Sequence, residues 1–179
     1  PALIESGAAK VAIAPATPAW LRKEVLDAAN SAAEFFEKRL GIKLEAKPGI
    51  VISVYPEDSS SSVRGDVTPG AIMSVRFYGE AWTGYDPGAA DQVRELLAHE
   101  FFHFWNGGIA SSADDAEKPW LHEGGASYAA MLALSPGAKP SDAAFMGKLN
   151  DNLVKCQTAL EETESLKTAR NLQFGNAPY

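Results

Sequence analysis

The sequence predicts an α+β fold in which strands and one helix come first and helices alone follow. Two observations carry this. A segment rich in β-branched residues, at 50–55, and an alternating one, at 71–78, fall in the first half of the chain. Apolar residues recurring near every 3.6 positions mark one helix in that half and the last helix of the second, where the segments between also read as helices. The order describes a two-lobed domain, with a strand-containing lobe over residues 1–87 and a helical lobe over residues 88–179. A chain of 179 residues that is 46% hydrophobic can bury a sizeable core, and neither an internal repeat nor a long linker divides it, so residues 1–179 read as a single domain.

Residues 9–14 are apolar and bounded by Pro15 and Pro18, which suits a first strand or the tail of a strand from a missing domain. A helix starts at Pro18, where Leu21, Val25, Ala28, Ala32, Phe35 and Leu40 recur at helical spacing and Gly41 closes the element. Residues 50–55 form a strand that ends at Pro56. The serine-rich run 58–62 reads as a polar loop, and Arg64-Gly65-Asp66, a tripeptide recognised by adhesion receptors, reads within it as turn chemistry. Residues 71–78 alternate as a strand, with Ile72, Ser74 and Arg76 on one face and Met73, Val75 and Phe77 on the other. Trp82 and Tyr85, in the loop that follows, read as packing aromatics, with the lining of a cleft as the alternative.

Asp86-Pro87 is an N-cap followed by a first-turn proline, and the helix it opens is expected to end near Asn106-Gly107-Gly108. A small, acidic connection over 109–118 leads to Pro119-Trp120 and a further helix, stopped by Ser135-Pro136-Gly137. Ser141-Asp142 starts a last helix whose apolar face is Phe145, Leu149, Leu153, Cys156 and Leu160. Beyond Glu161 the chain turns polar.

The 16 basic and 23 acidic residues leave a net charge of −7, which argues against a nucleic-acid surface. No apolar run approaches the length of a membrane span, and no signal peptide is recognisable. Because the chain starts at Pro1 rather than Met, a removed leader or upstream domain is expected, and with a leader an exported or periplasmic location. Cys156 is the sole cysteine and reads as a small buried hydrophobe.

The chemistry is concentrated in two stretches. In Leu96-Leu97-Ala98-His99-Glu100-Phe101-Phe102-His103-Phe104-Trp105-Asn106, an H-E-x-x-H pattern lies in surroundings apolar enough for a buried helix. His99 and His103, four apart, stand one above the other where both can reach one ion, and Glu100, turned by about 100°, sits beside it. The second stretch is Trp120-Leu121-His122-Glu123-Gly124-Gly125-Ala126-Ser127-Tyr128. All three histidines of the chain fall within these two stretches. Two histidines and a glutamate are a recurring zinc set with an open position. Glu123, after 19 intervening residues, can supply the third ligand from a neighbouring helix, with His122 as its rival.

Together, H-E-F-F-H and W-L-H-E-G-G-A-S-Y resemble the gluzincin metallopeptidases, and most of all the aminopeptidase N group with its glycyl aminopeptidase relatives, where H-E-x-x-H is followed by W-L-x-E-G-F-A-x-Y. The resemblance covers residues 95–130. It implies a thermolysin-like zincin catalytic domain, with a mixed sheet and a helix in the first lobe and mostly helices in the second. It also implies one Zn2+ per chain held by His99, His103 and Glu123, which favours Glu123 over His122. The implied activity is zinc-dependent hydrolysis of peptide or protein substrates, with Glu100 as general base.

Two features depart from the pattern. The gap between His103 and Glu123 is one residue longer than is usual in the aminopeptidase N group and equals that of thermolysin. The family's G-A-M-E-N motif, on an edge strand, has as its nearest counterpart Gly70-Ala71-Ile72-Met73-Ser74, without a glutamate. With Met73 near that position, no strict need for a free substrate N-terminus is expected. Asn176-Ala177-Pro178-Tyr179 resembles the start of the segment that carries the group's oxyanion-binding tyrosine, which implies a catalytic Tyr179 and a catalytic domain cut short. The alternatives are a zinc-holding scaffold that has lost catalysis and a core helix with idle, hydrogen-bonded histidines. Against the first stands Glu100, a base that a structural zinc site does not need. Against the second stands the cost of burying such groups unpartnered.

Overall fold

The computed structural model of the chain describes residues 2–68, 72–106, 118–135, 137 and 142–161. These form a mixed five-stranded sheet and four α-helices, an α+β arrangement. The strands are β1 (Ala2–Glu5), β2 (Lys10–Ile13), β3 (Gly49–Tyr55), β4 (Ser62–Thr68) and β5 (Ile72–Tyr78), in the order β1-β2-β3-β5-β4. β2, β3 and β5 run parallel, and β1 and β4 close the two edges antiparallel to their neighbours.

The helix α1 (Ala19–Leu40) connects β2 to its parallel neighbour β3 and lies on one face of the sheet. Gly41 ends it at φ 68°, a left-handed conformation that costs glycine nothing, and its N–H bonds to the Glu37 carbonyl. Burial selects Leu21, Val25, Ala29, Ala32, Ala33 and Phe36. The expected stripe through Ala28, Phe35 and Leu40 is therefore rotated by about one residue towards its end, and Leu40 is 40% exposed. The reason is the aromatic cluster below: Phe36 packs against Phe102 at 5.2 Å and Trp105 at 5.6 Å, which a phenyl ring one position earlier faces less directly.

The alternation expected for residues 71–78 is found in β5, where Met73, Val75 and Phe77 are fully buried against the helices. Two strands differ from expectation. β1 is a short edge strand whose sequence carries no strong alternation. β4 occupies the stretch that reads as serine-rich loop and turn. Its register brings Val63, Gly65 and Val67 onto the helix-bearing face and Arg64, Asp66 and Thr68 onto the other. There Asp66 pairs with Arg76 of β5, so the Arg-Gly-Asp tripeptide is taken up in sheet contacts. Trp82 is core: it is 2% exposed, and its indole N–H donates to the carbonyls of Ser62 and Tyr78, which ties β4 to the end of β5. Tyr85 is 62% exposed, with its ring edge-on to Trp20.

α2 (Pro87–Asn106) packs against α1, β4 and α3 (Lys118–Leu134). Asp86 caps it, its carboxylate accepting from the Ala89 N–H at 2.8 Å. Arg94 binds Glu24 of α1 at 2.6 Å, and the Trp105 indole donates to the Ile42 carbonyl at 3.0 Å, so the helix is fastened near its middle to α1 and at its C-terminal end to the segment after α1. α4 (Ala143–Glu161) packs on α3 through Phe145 and Leu149 and ties back to α2 through Lys148 and Glu95. Farther along its expected face, Leu153 and Leu160 are exposed and Cys156 is half-buried. No helix is long and apolar enough to cross a membrane among the described residues.

Because Phe36 rather than Leu40 joins the α1–α2 core, Phe36→Ala is expected to cost about 3–5 kcal/mol and Leu40→Ala less than about 1 kcal/mol. Urea denaturation of both variants checks this, and a larger cost at Leu40 would reverse the assignment of the face.

Candidate metal centre

α2 presents its polar groups within a run where, from Leu96 to Asn106, no residue is exposed. His99 and His103 project one turn apart with ring centroids 5.0 Å from each other. α3 brings Glu123 across from the facing helix: Oε2 lies 3.0 Å from His99 Nε2 and 3.6 Å from His103 Nε2. One donor atom from each of the three residues lies within 4.8 Å of the others, an arrangement that could hold a metal ion. The His103 side chain is 7% exposed, His99 20% and Glu123 49%, so the cluster is closed on the α2 side and open on the α3 side.

His122 takes a different position. Its ring stacks on His103 with centroids 4.1 Å apart, and its Nε2 is 3.9 Å from Glu123 Oε1, outside the three-residue cluster. Adjacent helical residues diverge by about 100°, which is why α3 turns Glu123 and not His122 onto the two Nε2 atoms.

Glu100 is 7% exposed and belongs to the same turn of α2. Burial pushes its carboxyl above the ordinary range; the neighbouring histidines oppose this, and the charges of Glu123 and Asp66 reinforce it. For Glu123, burial would raise the carboxyl, but hydrogen bonds from His103 and His99 win and hold it well below the usual range. Burial likewise disfavours the charged His103 ring and is outweighed by the hydrogen bonds to Glu123 and Asn106, which raise it. His122 is lowered, first by burial and then by the charge of His103. The two carboxylates are thus pushed in opposite directions. Glu123 is the acceptor that stays ionised, and Glu100 is the one that holds a proton more readily.

Three residues of this site carried no functional expectation in the sequence. Asn106 is 5% exposed; its side-chain oxygen is 3.0 Å from His103 Nδ1 and its amide nitrogen is 3.0 Å from the backbone carbonyl of His122. Ser127 Oγ lies 3.3 Å from His99 Nδ1. Asn106 is three residues after His103 and Ser127 four after Glu123, on the same helical faces, a spacing that allows the contacts but does not single these residues out. The third is Gly65 of β4. A Cβ there would lie 2.6 Å from Glu100 Cγ and 2.8 Å from its Cδ and Oε1, so the absence of a side chain is what allows the strand to pass against Glu100.

The strand beside the site is therefore the edge strand β4, whereas residues 72–74 of the Gly70–Ser74 stretch belong to the interior strand β5. Met73 is fully buried in the core, so the expectation of N-terminal tolerance loses its basis in that residue. Gly70, Ala71 and Tyr179 lie outside the described residues. Compared with known proteins, the chain matches no family model and no curated relative.

The contact of Gly65 with Glu100 is testable as a thermodynamic cycle. Gly65→Ala alone is expected to cost about 1–3 kcal/mol through overpacking, and most of that cost should vanish in a Glu100→Ala background, where the clash is gone. Additive costs in denaturant titrations of the four proteins would show that Gly65 does not bear on Glu100.

Proposed function

We propose that this chain is a zinc-dependent metallopeptidase domain of the gluzincin type, hydrolysing peptide bonds with Glu100 as general base. One observation carries the reading: His99, His103 and Glu123 converge from two helices while a second, buried carboxylate stands beside them without joining the cluster. Ligand atoms about 2.0–2.1 Å from a tetrahedral ion lie about 3.3 Å apart. The separations of 3.0 and 3.6 Å between Glu123 and the two histidines bracket that value, and all three donor atoms lie within 4.8 Å of one another, which supports a zinc reading.

Zinc held there would supply Lewis acidity, polarising a substrate carbonyl and lowering the pKa of a water to about 7. The chain's own groups do the rest. His99 and His103 act as neutral donors, and Glu123 contributes the single negative charge that leaves the set electrophilic. Glu100 receives the proton released by the attacking water and delivers it to the leaving amine. Its raised proton affinity brings it nearer the working pH that such a shuttle needs. The side open at His99 and Glu123 is the approach for a substrate, and β4 forms the wall against Glu100. In this reading the sheet with α1 and the helices α2–α4 are the two lobes of a thermolysin-like domain. The site residues argued from geometry are His99, Glu100, His103 and Glu123. Tyr179, as oxyanion donor, rests on the resemblance alone.

Protein purified without chelator is expected to contain one zinc per chain by elemental analysis, and chelation should abolish cleavage of a mixed peptide library with free and blocked termini. Absence of any transition metal would end the proposal. Glu100→Gln should keep the metal and lower turnover by about 100-fold to 10,000-fold, since the amide preserves shape and cannot take a proton. Retained metal without cleavage in the wild type would instead favour the inactive scaffold, and loss of metal in Glu100→Gln would make Glu100 a ligand. Glu123→Ala should lose the metal. Retention there with loss in His122→Ala would exchange the roles of these two residues.

A further inference from the structure

We propose that Asn106 is a positioning residue of the centre: it fixes which nitrogen of His103 carries the proton, and it locks the helix that bears two ligands to the helix that bears the third. The proposal rests on the metal-binding reading above and adds to it a residue that coordinates nothing.

The argument starts at a backbone atom. The His122 carbonyl, 3.0 Å from the Asn106 side chain, can only accept a hydrogen bond, so the Asn106 atom facing it must be the NH2 group. The reverse amide orientation would set two acceptor oxygens against each other in a buried place. With the amide thus oriented, its oxygen is the atom 3.0 Å from His103 Nδ1. An amide oxygen cannot donate, so Nδ1 must carry the hydrogen. The charged ring that Glu123 favours carries hydrogens on both nitrogens; in the neutral ring the hydrogen stays on Nδ1, at hydrogen-bond distance from an atom that can only accept, and Nε2, 3.6 Å from Glu123 Oε2, presents its lone pair to the cluster.

The same amide does mechanical work. Asn106 ends α2, and the carbonyl it holds belongs to the residue immediately before Glu123 in α3. One side chain therefore sets both the ring of one ligand and the axial position of another. At 5% exposure, water is a poor competitor for either bond. Ser127 does not duplicate this role: its hydroxyl can donate to or accept from His99 Nδ1, so it tolerates either tautomer there.

The test uses wild type, Asn106→Leu and Asn106→Asp. Leu keeps the volume and removes both bonds, whereas Asp keeps the acceptor for His103 and removes the donor to the His122 carbonyl. Zinc affinity, measured by competition with a chromophoric chelator, should fall by about 10-fold to 100-fold in Asn106→Leu, as for loss of an outer-shell partner, and by less in Asn106→Asp. Ring 15N spectra of the metal-free wild type at alkaline pH should show His103 protonated at Nδ1, and Asn106→Leu should show proton population on Nε2. A wild-type His103 protonated at Nε2 would overturn the inference, as would equal zinc affinity in wild type and Asn106→Leu. An equal loss in the Asp and Leu variants would overturn the tautomer role. A wild type that binds no zinc would refute the metal reading itself, while the ring spectra would still decide the tautomer.

Discussion

Glu100 and His103 are polar, ionisable groups buried within a helix that is otherwise packed with leucine, phenylalanine and tryptophan, and the cost of keeping them there governs the surroundings. An unpaired buried donor or acceptor costs about 1–3 kcal/mol, and an unpaired charge more. Each group is accommodated by a different element. His103 has Asn106 from its own helix and Glu123 from α3, and Glu100 lies against the bare backbone of β4 at Gly65 and is pushed toward its neutral form. These demands require α2 to lie between a sheet edge and a second helix, and its apolar face against α1 holds it there.

Legibility in the sequence followed how local each cause is. Gly41, Asp86 and the alternation in β5 act through neighbours a few residues away, and their elements stand where periodicity and capping put them. β4 was not legible because the Gly-Asp at the centre of Ser-Val-Arg-Gly-Asp-Val-Thr, next to a serine-rich run, reads locally as a turn in spite of the β-branched Val63, Val67 and Thr68. Its conformation comes from pairing with β5 and from Val63 and Val67 packing on the core, a tertiary cause. The misplaced end of the α1 face has the same origin, since Phe36 is selected by Phe102 and Trp105, residues far along the chain.

The centre divides in the same way. His99, Glu100 and His103 are set by helical geometry and could be grouped from spacing alone. The approach of Glu123 to both Nε2 atoms depends on how α3 crosses α2, which the sequence does not state. Asn106, Ser127 and Gly65 were silent for a related reason. An asparagine at a helix end, a serine within a helix and a glycine between two charged residues all have commonplace local readings, and only the packing of α2 against α3 and β4 gives them another.

The centre is also asymmetric, and that bears on what it can do. Glu100, His103 and Asn106 are each at most 7% exposed, whereas the Glu123 side chain is 49% exposed and belongs to a helix lying over the buried set. A purely structural metal site gains from closure on every side, because each protein ligand added replaces a water and deepens the well. Here the interior half is fixed by packing and by the two Asn106 hydrogen bonds, and the exterior half is left to one carboxylate at the surface. Such a division keeps donor positions rigid without filling the space in front of them. A buried carboxylate whose proton affinity is raised by burial, standing on the same turn as the two histidines, is the feature on which the proposed general-base role rests.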